Sequence, residues 1–266
     1  MNRQRSIPLA LAAVALVVVA CAEASTNVTA VPFGFFTLAA QRSGSGFVTS
    51  PVGTFYSASG LGVPTASASW DSCRQETYSR ATVGLGDIFP VLGAGTSIQV
   101  RLPGRTDSLF PAPVGNDVQY RLRGPGVPYV PGDSVSVVIP GTASGGYPAI
   151  SFRAKTAEAL TVAEFGTPAV GTRLDLRWNA GQDLNGTVAF AFRYGAVNAD
   201  TLNTQISCQF KDDGTDSIPA RFISAWTAAK TKAWSAARVR TYVAPVARGG
   251  YFDFISTFDV PTPQAP

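Results

Sequence analysis

The chain contains no histidine at all. That absence removes Ser-His-Asp and Cys-His catalysis, histidine-liganded zinc or haem, and imidazole pH sensing. Charged residues make up only 14% of the 266, and glutamate is scarce, with Glu76, Glu158 and Glu164 in the body of the chain. A carboxylate hydrolase needs two acids placed across one bond, and no motif here sets up such a pair. Ser59-Gly60-Leu61-Gly62 and Ser144-Gly145-Gly146 are loops rather than a G-x-S-x-G elbow, and Gly84-Leu85-Gly86 lacks a phosphate-loop continuation. These gaps predict no catalytic residues and no cofactor.

Long hydrophobic runs are also missing, with one exception. Asn2-Arg3-Gln4-Arg5 is a short basic head, and Ile7 to Ala20 is almost unbroken apolar sequence. A basic head, a short apolar stretch and small residues after it have the layout of an export signal. The run is too short to be read first as a transmembrane helix. Two processing sites compete. Ala22-Glu23-Ala24 fits ordinary signal peptidase cleavage, which would free a protein starting at Ser25. Val18-Val19-Ala20-Cys21 offers a small residue before a cysteine, although Val18 stands where leucine is commoner.

That second segment resembles the lipobox of bacterial lipoproteins. The resemblance implies a signal peptide over 1–20, lipidation of Cys21, and a membrane held as partner through that anchor. Ala22, in place of an inner-membrane retention aspartate, implies the outer membrane or cell surface. Several acyl chains hold a protein stably where one is marginal. Secreted or periplasmic soluble protein is the alternative expectation.

Cysteine usage agrees with export. Cys21 is lipidated on one reading and discarded on the other, which leaves Cys73 and Cys208. In an oxidising compartment such a pair predicts a disulfide, with two buried thiols as the alternative. The net charge of +4 falls by two when Arg3 and Arg5 go. A nearly neutral chain gives no argument for nucleic acid as a partner.

About 245 residues follow the leader, enough for one large or two modest domains. Short β-branched and aromatic runs, broken by Gly/Pro/Asn/Asp clusters, predict an all-β fold. Ser97–Leu102, Asp117–Leu122, Ser134–Ile139, Thr172–Trp178 and Ala237–Val243 alternate with period two. Val31–Leu38, Gly53–Ser57, Thr187–Tyr194, Thr204–Phe210 and Tyr251–Val260 read as further strands. Pro219 opens a short helix to about Ala229, with Phe222, Ile223, Trp226 and Ala229 at helical spacing. The rhythm favours antiparallel β-sandwiches. Trp178 on one strand and Cys208 on another loosely resemble an immunoglobulin-like core. The expected organisation is a tether over 21–30, a β-sandwich half over 31–143, an immunoglobulin-like half over 144–260 and a disordered tail over 261–266. One continuous large sandwich is the close alternative.

Candidate sites are sparse. Lys230, Lys232, Arg238 and Arg240 form the one local basic cluster, a ligand surface beside an exposed Trp234 or simply a solvated strand face. Trp70, Tyr147, Trp226 and Trp234 suggest an aromatic platform for a carbohydrate or protein ligand, while Trp178 belongs to the core. Asp212, Asp213 and Asp216 surround a glycine turn and are weak calcium candidates, since hairpin turns need the same residues. The stretch Cys208-Gln209-Phe210-Lys211-Asp212-Asp213-Gly214, followed by Ile218-Pro219-Ala220, resembles a pattern in bacterial envelope lipoproteins. It implies β-sandwich architecture and names no substrate. The functional expectation is a non-catalytic, surface-anchored envelope module, structural or ligand-binding. A secreted carboxylate-dependent hydrolase is the alternative, with Asp175/Asp183 or Asp87/Glu76 as its possible pairs. An outer-membrane barrel is third, disfavoured by the proline-rich C-terminal residues.

Overall fold

The structure is a computed structural model and describes residues 30–59, 71–77, 85–143, 145–183, 186–195 and 202–260. The segment read as an export signal, Cys21, Trp70 and the 261–266 tail lie outside the described residues.

The first and last strands meet in the middle of the fold. β1 (Val31–Ser43) pairs in parallel with β16 (Gly250–Val260), Phe33 opposite Tyr251 and Ala40 opposite Phe258. Antiparallel neighbours extend this pair on both sides. Beyond β16 come β15 (Lys232–Val246), β12 (Thr187–Tyr194), β13 (Thr204–Lys211) and β4 (Ser72–Thr77). Beyond β1 come β3 (Val52–Ala58), β7 (Asp117–Arg121), β6 (Arg105–Val114), β5 (Ile98–Leu102), β9 (Ser134–Ile139) and β10 (Ile150–Lys155). Two short strands, β2 (Gly46–Thr49) and β8 (Val127–Pro128), branch off the end of β1. β11 (Leu174–Arg177) and β14 (Thr215–Ile218) form a separate ribbon. One helix, α1 (Ala220–Ala228), follows Pro219 and buries Ile223 and Trp226. All-β architecture with one short helix is therefore what the chain adopts.

The long sheet folds back on itself. β6 starts beside β5 and finishes beside β7, so it carries the chain from one layer to the other. Its Pro111 and Pro113 lie in the half that β5 no longer flanks, where a missing N–H costs no ladder bond. Phe152 of β10 then packs on Phe252 and Phe254 of β16, with ring centroids 5.3 and 5.7 Å apart, although the two strands are distant in the sheet order. Two buried tyrosines fasten the layers. The Tyr129 hydroxyl lies 2.9 Å from Ser256 Oγ, and Tyr147 donates to the Tyr251 carbonyl at 2.9 Å.

Between the layers sits an aromatic core that runs from Phe36, Phe55 and Tyr147 to Phe190, Phe210 and Trp178. Alternation builds it, since β12 turns Val188, Phe190 and Phe192 inward and leaves Ala189, Ala191 and Arg193 on the other face. A smaller cluster of Phe33, Tyr56, Ala58 and Tyr251 lies apart from it, with Phe35, Phe89 and Val91 packed against it. Strand pairing crosses the 143/144 boundary three times, in β1–β16, β4–β13 and β9–β10.

Cys73 and Cys208 form a disulfide. They stand directly opposite each other on β4 and β13. The bridge therefore joins neighbours within one sheet, whereas the immunoglobulin pattern joins two sheets.

Candidate functional site

The open face of β4, β13, β12, β15 and β16 carries a shallow trough of about 540 Å³. Alternation again explains it. Where the inner face takes Ile206, Cys208, Phe210, Phe190 and Phe192, the outer face receives small residues. Ala189, Ala191, Ser235 and Ala237 make the floor, and their short side chains let a ligand approach the sheet closely. Arg74, Glu76, Gln205, Ser207 and Gln209 make one wall. These groups bond one another. Ser207 Oγ donates to Glu76 Oε1 at 2.9 Å, and Gln205 Nε2 reaches the same oxygen at 3.3 Å. Arg193 Nε donates to Gln205 Oε1 at 2.7 Å, and Arg74 pairs with Glu76 at 3.6 Å. The wall is thus preorganised and rich in donors and acceptors. Asp259 borders the far side, its carboxyl pushed upward by burial.

Glu76 and Asp259 do not form a hydrolytic pair. The row Ser72, Gln209, Ala189, Ala237, Asp259 crosses four strand spacings. At about 4.8 Å each, that puts roughly 19 Å between β4 and β16 along the sheet. Glycoside hydrolysis uses carboxyls about 5–9.5 Å apart. The two pairs anticipated from the sequence are not assembled either. Asp87 accepts from Asn116 beside β7, seven strand positions from Glu76 on β4. Asp175 pairs with Arg173 at 2.9 Å beside the β11–β14 ribbon, while Asp183 lies near Tyr242, whose phenol is pushed upward by burial and then by that carboxylate.

A second polar constellation lies inside the protein. Arg238 and Arg240, on β15, are 0% and 1% exposed. Asp212, just past the end of β13, is their shared counter-charge. Its Oδ2 stands 2.7 Å from Arg238 Nε and 2.7 Å from Arg240 Nη2. Oδ1 accepts from Arg238 Nη2 at 3.0 Å, Trp178 Nε1 at 3.1 Å and the Gly181 amide at 3.2 Å. Glu158 adds a second carboxylate, 2.5 Å from Arg240 Nη2. Arg238 also donates to the Ala159 carbonyl at 2.7 Å and to that of Asn179. Two glycines make room, because a Cβ at Gly186 would collide with the Arg240 guanidinium and one at Gly181 with Asp212. The cluster stitches the segments around Glu158, Asn179 and Asp212 onto the sheet. Its charges are consumed by one another.

These placements correct the sequence expectations. Arg238 and Arg240 do not lie on a solvated face and cannot meet lipid headgroups. Val239 and Thr241 occupy the outward positions instead. Lys230 is exposed, whereas Lys232 is half-buried, donating to the Thr227 carbonyl at 3.1 Å and standing over the Trp226 ring. Trp234 is not the exposed residue its lysine neighbours suggested; it is half-buried against Phe165, centroids 4.9 Å apart. Tyr147 and Trp226 are core residues, so no aromatic platform forms from them. Trp178 is buried, as its alternation implied. The three aspartates do not converge. Asp212 turns inward, Asp213 is exposed and accepts from the Thr215 amide, and Asp216 faces Asp71, its carboxyl raised chiefly by burial. Among the described residues no three His, Cys, Asp or Glu side chains gather as a metal site.

Sequence reasoning missed the trough. Its wall includes β4, whose Ser72-Cys73-Arg74-Gln75-Glu76-Thr77 carries no hydrophobic alternation. The signal that existed was Ala189 and Ala191 between Phe190 and Phe192, small residues where an open face would ordinarily carry larger polar ones.

One further carboxylate on the open face is unusual. Asp253 of β16 stands between Val243 and Phe35 on the neighbouring strands, and its Oδ1 is buried without a hydrogen bond. Burial pushes its carboxyl up to about 6. The unfolded chain would titrate near ~3.9. Below that value both states are protonated and the group costs nothing. As pH rises through about 6 the unfolded state has already released its proton, so folding loses stability. Asp253→Asn is expected to be more stable than the parent at pH 7.5 and to match it near pH 4, as read by urea unfolding at both pH values.

No protein-family model matches this chain, and no curated protein matches it. The site is therefore read from its own chemistry.

Proposed function

We propose that this is a non-catalytic module of the bacterial cell envelope, anchored through lipidated Cys21, that binds a glycan chain in the open-face trough. The trough carries the reading. A floor of Ala189, Ala191, Ser235 and Ala237 beside a wall of Arg74, Glu76, Gln205, Ser207 and Gln209 suits an extended, hydroxyl-rich ligand. Such a ligand needs close approach and many paired donors and acceptors, and its volume falls in the usual range of ~300–1,000 Å³ for ligand sites. The roughly 19 Å between β4 and β16, the strands that carry Glu76 and Asp259, supports binding over hydrolysis. The basic head, the apolar run and Ala20-Cys21 support the anchor.

Retention on immobilised oligosaccharides tests the ligand. Ala191→Trp fills the floor without touching the core and is expected to lower retention at least about tenfold, a loss of ~1.4 kcal/mol. Equal retention by parent and variant, or retention of peptides but of no glycan by the parent, would remove the glycan reading. Intact mass of the membrane-extracted protein tests the anchor separately, since acylation at Cys21 adds the mass of its lipid.

A further inference from the structure

We infer that the end of the sheet where β1 begins is the face that lies against the lipid bilayer, with Ile88, Leu85 and Val114 as its apolar contacts. The inference rests on the anchored reading above and adds an orientation to it.

Strand directions put several loops at that one end. β1 and β16 run in parallel from it, with Phe33 opposite Tyr251. The antiparallel strands β3 and β15 finish there, at Ala58 and Val246. β7 starts there at Asp117, so the turn that follows Val114 also belongs to this rim. The Leu85–Val91 segment lies across it. Phe89 packs on Phe33 at 5.3 Å, Tyr56 bridges to Val91, and Asp87 accepts from Asn116 Nδ2 at 2.5 Å. Gly86 approaches so closely that a Cβ would collide with the Asn116 carbonyl and Asp117. Leu85, Ile88 and Val114 therefore share one edge, and they are 39%, 61% and 37% exposed. They are half of the large apolar side chains exposed among the described residues, gathered at one rim, while Val130 and Val170 stand apart in loops. Ile88 is held out by its neighbours. Its amide and that of Phe89 both donate to the Leu85 carbonyl, and the Phe89 ring is fixed inward.

Chain length then selects this end over the opposite one. Nine residues separate Cys21 from Val31, and the ten steps between them reach about 33–36 Å fully extended. β1 has 13 residues, about 43 Å at the usual strand rise. With β1 upright on the bilayer, an anchor at Cys21 does not reach far enough to put the far end of the sheet against the lipid. Of the surfaces left within reach, the rim carries the clustered apolar groups that insert at an interface.

Quenching by brominated lipid tests the orientation. The full-length protein, with Cys21 intact, is inserted into phosphatidylethanolamine–phosphatidylglycerol vesicles with brominated acyl chains. Ile88→Trp and Val170→Trp add a fluorophore at two comparably exposed positions, 61% and 65%. After subtraction of the parent signal, quenching at position 88 is expected to exceed that at 170 by about two-fold or more. Equal quenching at both, or more at 170, would overturn the orientation while leaving the anchor standing. Intact mass of the same samples reports the anchor itself, so a protein without acylated Cys21 overturns the anchored reading and this inference with it.

Discussion

Asp212→Ala is expected to destabilise the protein by about 3–5 kcal/mol, the range found when one partner of a buried ion pair is removed. A domain holds only ~5–15 kcal/mol in total, so the variant would unfold at far lower urea and accumulate poorly. The cause is what remains. Arg238 and Arg240 are always charged and stay sealed inside the sandwich, with Glu158 and a few carbonyl oxygens as partners. Trp178 Nε1 and the Gly181 amide lose their acceptor in the same step. The control is the joint replacement Asp212→Leu, Arg238→Met, Arg240→Leu, which removes both buried arginines together with their shared counter-charge and leaves Glu158, the most exposed of the four, to water. Apolar groups of similar volume are often neutral or stabilising in such places, so the triple variant should regain most of the loss. Urea midpoints of the three proteins check both statements. A single variant as stable as the parent would mean that the cluster is not sealed from water.

The second large effect belongs to the disulfide. Cys73 and Cys208 close a loop of 135 residues. In the chain-entropy model a loop of that length is worth about 5 kcal/mol, an upper value. The local consequence is sharper than the global one. β4 is an edge strand, hydrogen-bonded to β13 alone among the described strands, and its Arg74, Gln75, Glu76 and Thr77 are exposed. Cys73 is the one residue of β4 packed against the core. The double variant Cys73→Ser, Cys208→Ser is therefore expected to lower the urea midpoint and to free the amides of β4 in particular. Hydrogen exchange should rise further in Ser72–Thr77 than in Thr204–Lys211, which keeps β12 on its other side. Matching exchange in the two strands would count against this account. Loss of β4 would also remove Arg74 and Glu76 from the trough, so glycan retention should fall in the same variant.

The strands most legible in the sequence were those with one kind of residue on each side. Ser134–Ile139 appears where alternation placed it, Thr187–Tyr194 is the strand that its β-branched and aromatic residues predict, and Pro219 marks the start of α1. Of the strands that escaped, two did so for definite reasons. Arg105–Val114 contains two prolines, which argue against a strand unless its partner on one side has already ended. Ser72–Thr77 has no hydrophobic face, because its attachment is covalent and through the backbone.

β15 failed in a different way. Ala237-Arg238-Val239-Arg240-Thr241-Tyr242-Val243 alternates clearly, and arginine is almost never fully buried unless paired. That rule sends the valines inward. The structure has the opposite face inward, and a one-residue choice of face moves every side chain on the strand. What decides it is Asp212, contributed by a turn 26 residues upstream, together with space opened by Gly181 and Gly186. The trough escaped for a related reason. The residues that line it come from five strands, and only pairing brings them onto one surface.

By itself, then, the sequence determined the class of the fold, because residue alternation and turn composition are local properties of the chain. It determined the exclusion of histidine chemistry, because counting residues needs no coordinates. Only the tertiary structure decided that those two cysteines face each other across adjacent strands, that two arginines and an aspartate form a sealed core, and that small side chains from separate strands leave an open trough. Each of these depends on which strands become neighbours and which face turns inward. Those choices are settled by pairing and packing between residues far apart in the chain, where no local pattern reaches.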